Sequence, residues 1–302
     1  MSSPSDAARP SGVIHDIGYR PYSGPRLGAG AVAWSLFVTG LRHCYGLGRS
    51  GRSKILPMIL LGLMLLPALI LVGVLVQARG VLGLDAQIVP YSVYPLTTQL
   101  LISVYVAAQA PALISRDLRF GTITLYLARP TSRTTYVLVR MASLAVATFV
   151  LIAAPLLLMY AGGLLADLPP GRETRLLLGA LVGALLLAAC LAGLASLVAA
   201  TTTRRGLAVA AVIVVLLVTY TVVATIQGIA FETGNETVGE VAGLFSPYTL
   251  TQGVQVLLFD ATESTPTPPD GAAMVLLYLA ATAVMVLGSV GAMLLRYRRI
   301  AA

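Results

Sequence analysis

The stretch ILPMILLGLMLLPALILVGVLV, residues 55–76, decides the fold. It holds no charged residue and is apolar on every side of a helix rather than along one stripe. Such a helix is either buried in a large core or crosses a bilayer. About 20 consecutive apolar residues span the hydrocarbon of a membrane. Working outward from this run, five further stretches qualify: 96–114, 136–165, 176–200, 207–229 and 272–295. Only Arg140, near the start of the third, is charged, and its long side chain can reach back to the interface. The chain has 302 residues, of which 57% are hydrophobic and 11% charged. A soluble domain carries about 25% charge. The expected fold is an all-α polytopic membrane protein with six transmembrane helices. Pro67, Pro111 and Pro155 lie within or near spans, where membrane helices tolerate proline with local kinks.

Charge sets the direction. With the N-terminus inside, 17 of the 20 Lys and Arg residues fall on cytoplasmic segments, and only Arg79, Arg172 and Arg175 fall outside. Nine of the 12 Asp and Glu residues divide the other way. This asymmetry predicts an N-in, C-in chain. It also accounts for the net charge of +8 without nucleic acid. Tyr91, Tyr94 and Tyr160 at outer span ends, with Tyr136 and Tyr297 at inner ends, suit an aromatic belt; packing tyrosines fit the same positions.

Two stretches imitate a nucleotide site. GLGRSGRSK (46–54) has Arg52 where a phosphate-binding loop has Lys, and VLLFD (256–260) imitates a magnesium-holding strand. The topology puts them on opposite sides of the membrane. The loop also lacks the preceding strand that such a site needs. Gly46, Gly48 and Gly51 read instead as a flexible turn between helices, with Arg49, Arg52 and Lys54 facing anionic lipid. Cys44 and Cys190 read as reduced structural thiols, and with only His15 and His43 no metal-site spacing arises. No catalytic residue and no metal ligand is expected.

The segments outside the spans complete the organisation. Residues 1–28 form a cytoplasmic tail, opening on a polar, disordered stretch of Ser and Pro. Residues 29–53 hold an amphipathic helix and a basic turn. Trp34, Phe37, Val38, Leu41 and Tyr45 recur at helical spacing there, which suits the membrane surface. Residues 54–302 hold the six spans. Between spans two and three, SRDLRFGTITLYLARPTSRTTYVLVR (115–140) predicts a short helix: Gly121 breaks the chain, Thr122 caps ITLYLA, and Pro130 ends it. Exposed Leu125, Tyr126 and Leu127 on it suit a protein partner or the membrane surface. The outer loop, 230–271, is too apolar for a solvated connection. One or two short helices dipping into the outer leaflet are expected there, followed by a rigid polar linker, STPTPPDG (264–271).

This arrangement resembles the permease subunits of ABC-2 type transporters, the six-span exporters also called type V. The loop carries the resemblance: Asp117, then Gly121-Thr122-Ile123, the run Leu125 to Leu127, and Pro130-Thr131-Ser132-Arg133. It departs mildly, with Asp117 where Glu is usual, Ile123 for Leu, and Arg140 where Lys is frequent. The resemblance implies a permease subunit of an exporter. A second permease, homo- or heterodimeric, would pair with it, and each would dock on a cytoplasmic ABC ATPase, two copies in all. ATP and Mg would be held by that ATPase, and no cofactor by this chain. By the same resemblance the loop 115–135 is the coupling loop. Asp117, Arg119, Phe120, Gly121, Thr122, Leu125 and Tyr126 are its docking residues, 29–53 is the connecting helix and its basic turn, and the outer loop is a re-entrant lid before the sixth span. The Gly/Pro-rich segment 16–28 is a further candidate contact for the ATPase. Spans two and five would line the central path, which makes Gln99, Tyr105, Gln109, Thr221 and Thr225 candidates for the substrate path. Helix–helix hydrogen bonding accounts for the same residues equally well. The expected location is the plasma membrane of a bacterium, in contact with lipid.

Other function classes fit less well. An ion- or proton-coupled transporter needs ionisable groups near the midplane, and no span centre carries one. A membrane enzyme needs a convergent His, Asp or Glu set, which is missing from the sequence. A structural membrane protein without transport is separated only by identifying partners. A neutral path suits an amphipathic or lipid-like cargo better than a small ion.

Overall fold

The computed structural model describes residues 24, 28–48, 50–82, 87–115, 132–202, 204–259 and 261–300. The docking residues Asp117, Arg119, Phe120, Gly121, Thr122, Leu125 and Tyr126 lie outside them, as do nearly all of 1–28 and Asp260.

The elements, in chain order, are α1 (Ala29–Cys44), α2 (Arg52–Leu82), α3 (Tyr94–Thr97), α4 (Gln99–Leu113), α5 (Arg133–Leu165), α6 (Pro170–Ala200), α7 (Arg205–Glu232), α8 (Glu236–Ala242), a 3₁₀ turn (Gly243–Phe245), α9 (Pro247–Phe259) and α10 (Ala272–Ile300). No strand occurs among the described residues. Helices α2, α5, α6, α7 and α10 are long and apolar enough to cross a membrane. They match five of the six expected spans.

The remaining span, expected over 96–114, is shorter than its apolar run suggests. It is α4, with 15 residues, preceded by the single turn α3 and a break at Thr98. Pro95 starts α3. The Thr97 and Thr98 hydroxyls both donate to the Tyr94 carbonyl, at 2.8 and 2.9 Å, and so satisfy a group the break frees. At 1.5 Å per residue α4 reaches about 22 Å, less than a hydrocarbon core. Its broken backbone is tolerated because ten of its residues are buried among other helices.

The centre of the bundle is the α5–α6 hairpin. Over their most apolar windows α5 and α6 are 56% and 61% buried, against 28%, 22% and 17% for α2, α7 and α10, so the hairpin is inner and the other three are outer. The tight link places Asp167 at φ 53, a conformation that Asp tolerates better than most residues. Ser132 caps α5 by accepting from the Thr135 amide at 3.0 Å. Helix α6 meets its neighbours through small residues, the usual device where lipid offers no hydrophobic drive to association. At Gly183 a Cβ would fall inside van der Waals contact with the Gln255 side chain of α9.

Helix α1 has two working faces. The expected aromatic face is there: Trp34 is 66% exposed and stacks on Phe37 at 5.5 Å. The opposite face, Leu36, Gly40 and Cys44, is buried against α5. Ser143 Oγ donates to the Phe37 carbonyl at 3.1 Å, and the Tyr45 hydroxyl to the Ala147 carbonyl at 2.7 Å. The helix thus presents one apolar face outward and buries the other in the core. Arg140 lies under it and is 4% exposed, with its guanidinium carbon 5.4 Å from the Tyr136 ring centroid. The expected reach to the interface is replaced by burial beneath α1. Burial pushes the Cys44 thiol up to about 12, with Arg140 pulling weakly the other way, so this thiol stays protonated. Both cysteines are free and buried.

Gly46 and Gly48 adopt φ of 68 and 76 and close the turn between α1 and α2. The Gly46 and Leu47 amides donate to the His43 and Arg42 carbonyls, at 3.0 and 2.8 Å. Gly46 and Gly48 of the phosphate-loop imitation thus end a helix and form the turn between helices that the sequence suggests. Of the five tyrosines, Tyr91, Tyr94, Tyr136 and Tyr297 are buried and pack inside the bundle, as the packing reading expects, while Tyr160 is half-buried and bonds the Thr174 hydroxyl at 2.8 Å. The Tyr94 hydroxyl donates to the Met64 carbonyl, next to the carbonyl that Pro67 leaves without its helical donor.

Candidate functional site

The outer segment before the last span folds as expected, into short helices that enter the bundle and leave it. Helix α8 and the 3₁₀ turn lead in, and α9 leads out, packed against α6, α7 and α10. Residues Pro247 to Gln255 of α9 are all buried. Hydroxyls and amides there need partners, and the sequence supplies them locally. Thr249 Oγ1 donates to the Gly243 carbonyl at 2.7 Å, and Thr251 Oγ1 to Pro247 at 2.8 Å. The last carbonyls of α8, as of any helix, need donors from beyond it, and the Gly243 amide reaches those of Gly239 and Glu240. Gln227 of α7 donates to the Gly239 carbonyl at 3.2 Å, and the Tyr278 hydroxyl of α10 to Glu240 at 2.7 Å. The re-entrant pair is therefore tied to the helices on both sides of it.

Where α9 begins, three elements meet. Tyr248, 2% exposed, gives its single phenolic proton to the Gln99 carbonyl of α4 at 3.1 Å. Ser103 Oγ, 2.7 Å away, then donates to the phenol oxygen. Tyr220 of α7 meets the Tyr248 ring edge-on, with centroids 6.2 Å apart. Beside this knot Gln99 Oε1 is buried and accepts no hydrogen bond among the described residues. The junction is thus polar, uncharged and partly unsatisfied. It can offer an acceptor to a donor that arrives from within the bundle, and its contacts hold the re-entrant tip on α4.

That tie is measurable. Removing the Tyr248 hydroxyl in Tyr248→Phe should cost about 1 kcal/mol. In a protein of this size that is about 2–4 °C in the thermal midpoint, read in detergent. Adding Ser103→Ala to Tyr248→Phe should cost less than the two single changes together. Full additivity would mean that the pair does not interact.

The candidate path residues fall into two sets. Gln99, Tyr105 and Gln109 face the interior along α4. Tyr105 is fully buried, its ring 6.0 Å from that of Tyr45, so it locks α1 to α4. Gln109 is toward the C-terminal end of α4, in the wall of a cavity of about 520 Å³ that His43, Arg52 and Arg205 also line. Thr221 and Thr225 are exposed on α7, with Thr225 Oγ1 donating to the Thr221 carbonyl at 2.8 Å. Within one chain these two do not meet the other three. They share an outer stripe with Val214, Val218, Val222 and Ile229.

Sequence reasoning missed Tyr248 and Tyr278 as structural ties. Tyr248 reads as one aromatic residue in an apolar outer loop, and its partner Ser103 lies 145 residues away. A buried tyrosine needs a polar partner for its hydroxyl, but nothing in the local pattern says which.

The family model described as ABC-2 family transporter protein matches residues 15–299. No curated relative matches the chain.

Proposed function

The chain belongs to the ABC-2 transporter family, and we propose that, as the membrane component of an ABC transporter, it works as an exporter by alternating access. Hydrolysis takes place on two cytoplasmic ATPase subunits, which hold the ATP and Mg. The coupling loop, 115–135, is where each ATPase docks, through Asp117, Arg119, Phe120, Gly121, Thr122, Leu125 and Tyr126. A second permease, identical or related, covers the outer stripe of α7. Thr221 and Thr225 then face the shared path, and Gln99, Tyr105 and Gln109 lie behind it on α4. The membrane is the plasma membrane of a bacterium.

The observation that supports this reading best is the re-entrant pair. It plugs the end of the bundle that the charge pattern puts outside, and it is held by hydrogen bonds donated from α7 and α10 and by one it donates to α4. A closed outer plug with a polar, uncharged underside suits a resting transporter that waits for cargo from the inside. The absence of charge at the α4–α9 junction suits an amphipathic cargo, because ionised groups in a membrane interior are expensive and are kept for ions or protons.

The test is to purify the tagged full chain gently from its host and identify what accompanies it. A phosphate-loop ATPase should co-purify, and the complex should hydrolyse ATP. Recovery of a folded chain with no ATPase would sink the reading and favour a membrane protein without ATP-driven transport.

A further inference from the structure

The end of the bundle assigned to the outside holds a second polar group, apart from the α4–α9 junction. Glu173, in the first turn of α6, is 1% exposed. Its Oε2 accepts from the Tyr91 hydroxyl at 2.5 Å and from Gln87 Nε2 at 3.3 Å. Gln87 Nε2 also reaches the Tyr91 oxygen at 2.8 Å and the Met159 carbonyl at 3.3 Å. Gly163 leaves the room for this, since a Cβ there would stand 2.5 Å from that nitrogen. Burial, followed by the Glu173 carboxylate, pushes the Tyr91 phenol far above its usual range, so Tyr91 remains a donor. The other oxygen, Oε1, is buried and accepts no hydrogen bond among the described residues. A carboxylate out of water with half its acceptors open is costly. A native fold keeps such a group where something else brings the donors.

Glu173 lines a cavity of about 80 Å³. Leu176 and Phe259 give it an apolar wall, and the exposed Arg172 and Arg175 edge it. The charges come in a fixed order, a buried negative and then exposed positives. A bare anion meets the carboxylate at the bottom. A bare cation must first pass two guanidinium groups. A ligand that carries an ammonium close to a phosphate meets neither obstacle.

We propose that this cavity is a headgroup site for an amine-bearing phosphodiester, with the ammonium on Glu173 and the phosphate at the Arg172–Arg175 edge. An ionised carboxylate only accepts, so a primary ammonium satisfies Oε1, whereas a quaternary one has no proton to give. The space holds an ammonium with its short linker, at roughly 30 Å³ for each water-sized group. Glu173 stands just before Leu176, where the apolar run of α6 begins, which is headgroup depth. Below it, Leu178 and Leu185 are exposed along α6 and offer an acyl chain a surface. The site requires only a membrane-embedded bundle, so it stands whether or not the chain exports anything.

The same chemistry is found on a membrane lipid and on a soluble phosphodiester. The purified full chain is offered equal amounts of phosphatidylethanolamine and phosphatidylcholine with identical acyl chains, and retained lipid is counted by native mass spectrometry. Wild type should retain the ethanolamine lipid about tenfold over the choline lipid, the scale of one charge-assisted hydrogen bond. Glu173→Gln should lose that preference. Arg175→Gln, at an exposed position that does not threaten folding, should weaken retention of the ethanolamine lipid. Glycerophosphoethanolamine distinguishes the sources: if it displaces the lipid, the headgroup alone is the ligand, and if it does not, the ligand is the lipid. Equal retention of the two lipids by wild type overturns the proposal, as does an undiminished preference in Glu173→Gln. Should Glu173→Gln fail to fold, the wild-type comparison and Arg175→Gln still decide.

Discussion

Changing Leu125 and Tyr126 together to Asp is expected to strip the ATPase from the purified transporter while the chain itself stays folded. Both residues lie in the run between Gly121 and Pro130, flanked by Arg119 and Arg129. In the proposed arrangement they are the apolar anchors of the docking contact. Buried anchors of this kind cost at least about 2 kcal/mol each when truncated. Replacing them with carboxylates also buries unpaired charge. The affinity should fall by several hundredfold or more. The readout is the ratio of ATPase to permease after gentle purification, together with the thermal midpoint of the permease. Loss of the ATPase at an unchanged midpoint is the expected result. An unchanged ratio would take the docking role away from 117–128 and leave the membrane surface as what its apolar residues face.

The second large effect concerns the plug. Gly183→Leu should destabilise the chain by about 1–3 kcal/mol or more, as overpacking of a filled core does. The reason is local, since any Cβ at that position meets the Gln255 side chain. Gln255→Ala opens the space, so Gly183→Ala, poorly tolerated alone, should be largely rescued in the double variant. The coupling between the two sites should amount to about 1–3 kcal/mol, as for contacting residues. It is measured as thermal midpoints of the four proteins in one detergent. No rescue would mean that α9 does not rest on α6 at Gly183.

The spans were legible because hydropathy over about 20 residues is a local property, and the bilayer imposes the length. The re-entrant segment was legible because 236–259 is too apolar to live in water and too interrupted to cross. The shortness of α4 was not legible: residues 96–114 carry no charge and are long enough to span, and only tertiary cover lets the helix break at Thr98. Burial of charge was illegible for a related reason. Arg140 and Glu173 sit at span ends, where a charge normally faces water, and their enclosure depends on α1 and on residues 87–93, far away in sequence. In the candidate site, Gln99, Tyr105 and Gln109 stood out as polar residues in an apolar run. Whether they face each other, a partner or a path depends on helix rotation, which a run that is apolar on all sides does not encode. Thr221 and Thr225 illustrate this, since one rotation of α7 sends them outward while Gln227 turns in.

The hydrogen bond from Tyr278 to the Glu240 carbonyl also sets an order of assembly. Tyr278 belongs to α10, which leaves the ribosome after α8 and α9. Until α10 is inserted, α9 lacks one of the three helices it packs against, and buried Leu250 and Val254 lack Tyr278 as their cover. The α5–α6 hairpin can form early, from neighbours in sequence, but α8 and α9 must wait until α10 has been made. A message cut short before residue 272 would thus yield a chain whose polar insert has nowhere to settle. Membrane proteases would have that exposed segment to recognise. Helix α10 is thus the piece that lets that insert settle.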